Sequence, residues 1–233
     1  MSVLNKNFII TLTLIFFTLN NVMAANVSGR PNTYINTVHV MQLCETGSTL
    51  TNCLNPVIIG ESTAGKDMDL SVVGSANSFG NAGLIPSGKT FTYGEVIMSR
   101  TFTISGTINT GAAFCKTGGN AGTQTAGGAT NSTSPLAQTL VAGDGTGNGD
   151  AMNSTTAVTG GTDAVAGTLT NGHNFMKFRW ELSKPFKVTV GKIPSMKISF
   201  DLSNALVFND GDDGVCNGND FYPGKPVISN TFE

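Results

Sequence analysis

From residue 176 to 182 the chain reads Met-Lys-Phe-Arg-Trp-Glu-Leu, apolar and charged in strict alternation. Successive side chains of an extended strand point to opposite faces, so this pattern asks for a strand with one buried and one solvated face. Met176, Phe178, Trp180 and Leu182 are expected to point inward, and Lys177, Arg179 and Glu181 outward. The same period recurs at residues 101–108, where Phe102, Ile104 and Ile108 share a face, and at 186–190 and 196–202. Ser183-Lys184-Pro185 and Gly191-Lys192-Ile193-Pro194 separate the last three runs. Proline fixes φ and removes a donor, so each interval is expected to be a tight connection and the C-terminal third an antiparallel meander. Weaker strand patterns lie at 34–43, 56–60, 68–73 and 91–98. No segment beyond the N-terminal apolar run sustains a 3.6-residue period, and the expected class is all-β.

That N-terminal run has the three parts of an export signal. Lys6 gives a positive start, residues 8–19 are apolar apart from threonines, and Ala24-Ala25 offers a small-residue cleavage site. The run is shorter than the roughly 20 residues that cross a bilayer, so cleavage is expected in place of anchoring. No cysteine stands at its exit, which argues against a lipoprotein. Cleavage after Ala24 leaves 209 of the 233 residues and, by removing Lys6, takes the formal charge from −2 to −3. That length suits a single domain spanning 25–233. Only 12 % of residues are charged, against about a quarter in ordinary soluble domains. With no basic patch, nucleic acid is not an expected partner.

Cys44, Cys53, Cys115 and Cys216 make an even number in a chain expected to mature where oxidation is permitted. Four cysteines allow three pairings. The favoured one joins Cys44 to Cys53, across a short turn-prone stretch, and Cys115 to Cys216. Chain entropy makes the short loop worth about 3 kcal/mol and the long one about 4–5. No Cys-x-x-Cys spacing occurs and the only histidines are His39 and His173, so zinc is not expected.

Residues 117–172 differ in character. They contain no aromatic residue, lysine or arginine, and nearly half are glycine or threonine. Such a segment buries little apolar surface and is expected to be a long loop-rich insertion, with short edge strands possible at 135–142 and 164–169.

Gly83-Leu84-Ile85-Pro86-Ser87-Gly88-Lys89-Thr90 satisfies the G-x-x-x-x-G-K-[ST] phosphate-loop pattern. That chemistry needs a helix to follow, so that its N-terminal amides cradle phosphate. Phe91-Thr92-Tyr93 is strand-like, so no nucleotide is expected. The segment from Ile85 to Phe91 resembles instead the Leu-Pro-x-Gly-x-Tyr turn that opens a strand in prealbumin-like β-sandwich domains of bacterial surface proteins. Proline presets one corner of such a turn and glycine permits a positive φ at the next. The resemblance implies an antiparallel β-sandwich, immunoglobulin- or prealbumin-like, serving as a stalk, adhesion module or solute-binding unit without catalysis.

Two further groups of residues bear on chemistry. Asp210, Asp212, Asp213 and Asp220, set among asparagines and glycines, offer oxygen ligands for calcium, although the spacing fails the helix–loop–helix pattern. An acidic turn is the plainer reading. For hydrolysis, no G-x-S-x-G elbow occurs, and His39 and His173 lack partner motifs. The expected function is therefore that of an exported, non-enzymatic structural or adhesive sandwich of the bacterial envelope or surface, bound to envelope components, glycan or itself. The alternatives are a calcium-assisted module for glycan or another ligand, and a small outer-membrane β-barrel.

Overall fold

A computed structural model describes residues 27–50, 52–72, 79–111, 113–118, 129–130, 134–141, 157–159, 162–163, 175–189, 195–208, 216 and 221–232. The leader and its cleavage site lie outside them. The described residues form fourteen strands and no α-helix. Three long strands come first: β2 (Pro31–Glu45), β3 (Val57–Asp69) and β4 (Thr90–Asn109), with β1 (Val27–Gly29) before them. Short strands follow as β5 (Phe114–Thr117), β6 (Ala129–Thr130), β7 (Gln138–Val141), β8 (Ala157–Thr159) and β9 (Thr162–Asp163). The rest are β10 (Phe175–Lys187), β11 (Met196–Asp201), β12 (Leu206–Phe208), β13 (Phe221–Pro223) and β14 (Val227–Phe232).

All pairings are antiparallel. The main sheet runs β3-β2-β4-β10-β8-β9, an open path, with β5 and β7 also paired to β4 and β6 to β5. Two smaller layers cover its inner face: the pair β11-β14 and the three-stranded sheet β1-β12-β13. The architecture is the expected all-β, sandwich-like one.

Runs that look separate in sequence are continuous strands. Residues 91–98 and 101–108 both belong to β4, interrupted by a bulge that places three residues, 99–101, against Thr37 alone. Asn36 fills the bulge, its Nδ2 donating to the carbonyls of Ser99 at 2.8 Å and Thr101 at 3.0 Å. Carbonyls displaced from a ladder need donors, and a short amide side chain on the neighbouring strand supplies two. At the same point β4 changes neighbours, from β10 (through Ser99) to β7 (from Thr101).

Two expectations are corrected. Ser183-Lys184-Pro185 is no turn: β10 continues through it, with a register shift between Glu181 and Phe186. Pro185 is exposed within this bulge, where the ladder needs no donor. The C-terminal third is also no meander. β10 pairs with β4 while β11 pairs with β14, so the chain leaves the main sheet after β10 and enters the covering layer.

The inner face carries two apolar clusters. Tyr34, Phe102, Ile104, Ile108 and Leu140 of the main sheet meet Leu206, Phe208 and Phe221 under the three-stranded sheet. Val38, Leu43, Phe91, Val96, Phe178, Trp180 and Leu182 meet Ile198, Ile228 and Phe232 under β11-β14. Each fully buried aromatic or branched side chain contributes about 1.5–3 kcal/mol. Within 117–172, β7 falls in the expected 135–142 window and pairs with β4, while β8 pairs with β10. The 164–169 window lies outside the described residues.

Candidate functional site

The site is built along β10. One edge of this strand pairs with β4 from Phe175 to Lys187. On the other edge β8 pairs only with Phe175 and Met176. Past that point no described strand covers the outer edge. Ser183 then closes it, its N–H donating to Asn230 Oδ1 at 3.1 Å and its Oγ to the Asn230 carbonyl at 2.8 Å. Phe186 stacks on Phe232 just beyond, with ring centroids 4.3 Å apart.

Between these two closures lies a cleft of about 430 Å³. Phe178, Arg179 and Trp180 line one side, residues Lys225 to Ile228 the other, and Leu50 overhangs. Trp180 sits opposite Gly94 in the ladder, and a Cβ on Gly94 would collide with the indole ring. Glycine here lets the indole lie against β4. Its Nε1, like Arg179 Nε, is buried without a hydrogen-bond partner among the described residues. A smaller apolar cavity of about 40 Å³ lies behind the cleft and shares Phe178, Trp180, Pro226 and Ile228 with it. It has room for a water or the tip of one side chain. At the rim, Lys225 Nζ stands 5.1 Å from the centre of the Phe178 ring, within cation–π range, and partial burial lowers its ammonium pKa.

The far face of the same strands corrects another expectation. Lys177 and Arg179 do point away from Phe178 and Trp180, yet both are buried. They converge on Glu95, which is fully buried on β4 opposite Arg179. Arg179 Nη2 bonds Glu95 Oε2, Gln42 Nε2 donates to Oε1 at 2.5 Å, and Lys177 Nζ lies 4.0 Å away. The cover is the loop of residues 46–53, whose Thr49 and Leu50 carbonyls accept from Arg179 Nη1 at 3.3 and 2.7 Å. Burial lowers the Lys177 pKa, and Glu95 opposes that shift.

The loop is held in three ways. Cys44–Cys53 closes it, as the spacing led one to expect. Ser48 accepts from Leu54 N at 2.9 Å and donates to the Glu45 carbonyl at 2.6 Å. Glu45 pairs with Lys89 and accepts from Asn55 Nδ2 at 3.1 Å. These bonds, Lys89 foremost, hold the Glu45 carboxyl below its usual pKa.

The second bridge, Cys115–Cys216, also forms as expected and ties β5 to the segment before β13. Asp210, Asp212, Asp213, Asp220 and His173 lie outside the described residues. His39 Nε2 lies 3.0 Å from Ser99 Oγ and its ring meets Phe175 edge-on, a packing role beside the bulge. Gly88 has a φ of +85° and the strand β4 opens at Thr90, so no helix follows the phosphate-loop pattern. Cys44, Cys53 and Glu95 bring ligand-type atoms within 4.8 Å of one another. Their sulfurs are bonded to each other, so the group offers no thiolate to a metal.

Sequence reasoning did not single out the cleft. The available signal was the alternation itself, in which the only tryptophan of the chain stands between Arg179 and Glu181. No protein-family model matches the chain, and neither does any curated protein or solved structure.

Proposed function

We propose that this chain is an exported, non-catalytic β-sandwich that holds a partner in the bacterial envelope or at the cell surface, in a structural or adhesive role. The observation that carries this reading is the cleft beside β10. It combines a strand edge that no described strand covers between Met176 and Ser183, an aromatic floor and a cationic rim. Preformed concave surfaces with a few placed polar groups are where partners bind. Two disulfides support the compartment, since such bridges persist where the surroundings are oxidising.

Fractionation of cells producing the full chain tests this. The protein is expected to start at Ala25 and to stay with the envelope. The Val227→Asp variant, altered at an exposed position of the cleft rim, is expected to be released while melting as the wild type does. Equal retention of the two proteins, or recovered protein that still begins at Met1, overturns the reading.

A further inference from the structure

We propose that the seam between the main sheet and the β11-β14 pair takes up the acyl chain of an envelope lipid, with its ester carbonyl at Trp180 and its head group in the cleft. The inference rests on the partner-holding role above and names the chemistry of what is held.

The first argument is the shape of the space behind the cleft. The 40 Å³ cavity is lined by Tyr34 and Met41, seven positions apart on β2, and by Val96 and Phe102 on β4. At ~3.3 Å per residue that is roughly 20 Å of strand. So small a volume drawn out over that length is narrow, the form of a chain and not of a ring. The cavity adjoins the cleft, with which it shares Phe178, Trp180, Pro226 and Ile228. The cleft, at about 430 Å³, has the size of a small-molecule site. A narrow slot behind a wider mouth matches a molecule with one thin end and one bulky end.

The second argument is what the wall is made of. Fifteen residues line the cavity, and only Tyr34, Asn36 and Trp180 among them carry a side-chain nitrogen or oxygen. The Tyr34 hydroxyl already donates to the Gly224 carbonyl at 2.8 Å. Asn36 Oδ1 and Trp180 Nε1 are buried without a partner among the described residues. They belong to opposite ends of the cavity: Asn36 bonds Ser99 and Thr101 of β4, and Trp180 lies against Gly94. Five positions of β4 separate Gly94 from Ser99, about 16 Å, so no single water serves both. What remains of the wall is hydrocarbon and thioether, which favours apolar matter over water. Met41, Met68 and Met98 stand along it, and the unbranched methionine side chain changes rotamer readily enough to admit a chain.

The third argument fixes the polar end. The indole N–H of Trp180 is a donor only, so what it lacks is an acceptor. Trp180 lines both the cleft and the cavity and therefore stands at their junction. An alkane offers no acceptor there, and a carboxylate would bring a charge into a buried place at a cost. An ester carbonyl supplies the acceptor without the charge and continues outward into a head group.

Trp180 is the only tryptophan, so its emission and its single indole N–H proton signal both report on this junction. The exported protein is titrated with methyl octanoate, octanoate, octane and methyl cyclohexanecarboxylate. Methyl octanoate is expected to move the indole N–H signal downfield and to bind at least tenfold more tightly than octane or the ring ester. Octanoate is expected to bind at least threefold more weakly than its methyl ester. Val96→Ile adds one methylene to the cavity wall and should weaken methyl octanoate at least fivefold, with the melting point unchanged or raised. Trp180→Phe, followed by calorimetry, should bind the ester and octane alike. An unmoved N–H signal, equal affinity for ester and octane, a ring ester that binds as well, or indifference to Val96→Ile overturns the proposal. Octanoate binding as tightly as the ester assigns the site to free fatty acids and overturns the esterified lipid. A protein retained in the envelope that ignores methyl octanoate sinks this inference alone, whereas one never exported sinks the reading beneath it.

Discussion

The two apolar clusters on the inner face of the long sheet are closed in different ways. The cluster around Tyr34, Phe102 and Phe208 lies under three strands, and Cys115–Cys216 is buried within it. Tyr34 reaches across both layers, its hydroxyl donating to the Gly224 carbonyl at 2.8 Å. The cluster around Phe91, Phe178 and Trp180 lies under a two-stranded pair and, among the described residues, is left open along β10. Its disulfide does not cross the layers but straps a loop over the outer face. One half is thus locked through its core. The other is held from outside, and among the described residues a cleft remains along its seam.

Removing each bridge separately gives the largest expected contrast. The Cys115→Ala/Cys216→Ala protein releases a loop spanning 101 residues and should lose about 4.7 kcal/mol, while Cys44→Ala/Cys53→Ala, with a separation of 9, should lose about 2.5. Urea unfolding measures both. The smaller loss should come with altered Trp180 emission, because Leu50 and the Arg179 acceptors ride on the released loop. Equal losses, or an emission change confined to the first variant, would erase the distinction between a core lock and an outer strap.

How much of this was legible depends on what alternation encodes. It identifies the side a residue faces, and Phe102, Ile104, Phe178 and Trp180 all face where the pattern puts them. It fails where a bulge switches phase. In β2 the inward residues are Tyr34, Asn36 and Val38 and then Met41 and Leu43, with a register shift between Val38 and Val40, so the strand looks weak in sequence. Alternation also says nothing about what covers a face. Arg179 looks solvated because its cover comes from a loop some 130 positions earlier, whose backbone carbonyls carry no residue-type signal. The cleft is hidden for the same reason, being shared between residues 178–180 and 225–228. The disulfides were easier, because an even count and one short spacing leave few arrangements.

The buried charges sharpen the comparison at an intermediate scale. Glu95→Gln keeps the shape and an acceptor but removes the buried carboxylate that Arg179 pairs with and Lys177 faces, so a loss of about 3 kcal/mol is expected. Burial already lowers the Lys177 pKa and Glu95 opposes it, so the variant should lower it further. A folded-state pKa below the unfolded value of about 10.4 means that the folded protein binds fewer protons between the two. Stability then rises with pH across that window. The deficit of the variant should therefore shrink between pH 7 and pH 9.5 in parallel melting series. A deficit that stays constant would mean that the lost hydrogen bond, and not charge, accounts for the effect.

The smallest expected effect lies at the base of the strap. Glu45 takes a hydrogen bond from Lys89 and another from Asn55, and these hold its carboxyl below the ordinary range. A depressed carboxyl contributes stability that is present above its unfolded pKa, about 4.3, and lost as pH falls through the folded value. The pair is partly exposed at the surface, and such pairs contribute little to global unfolding, so the melting point is the wrong observable. The local one is amide exchange within residues 46–53, where Thr46 N–H donates to the Thr90 carbonyl at 2.9 Å and Ser48 N–H to that of Glu45 at 3.1 Å. At pH 7 Glu45→Gln should exchange these amides a few-fold faster than the wild type. At pH 3, with the carboxyl increasingly protonated in both states, the two proteins should converge. Convergence would place the lysine–carboxylate pair beside the disulfide as a second, pH-dependent fastening of the loop over Arg179. A difference that persists at pH 3 would assign the protection to loop packing alone, and the outer strap would then depend on Cys44–Cys53 without electrostatic help.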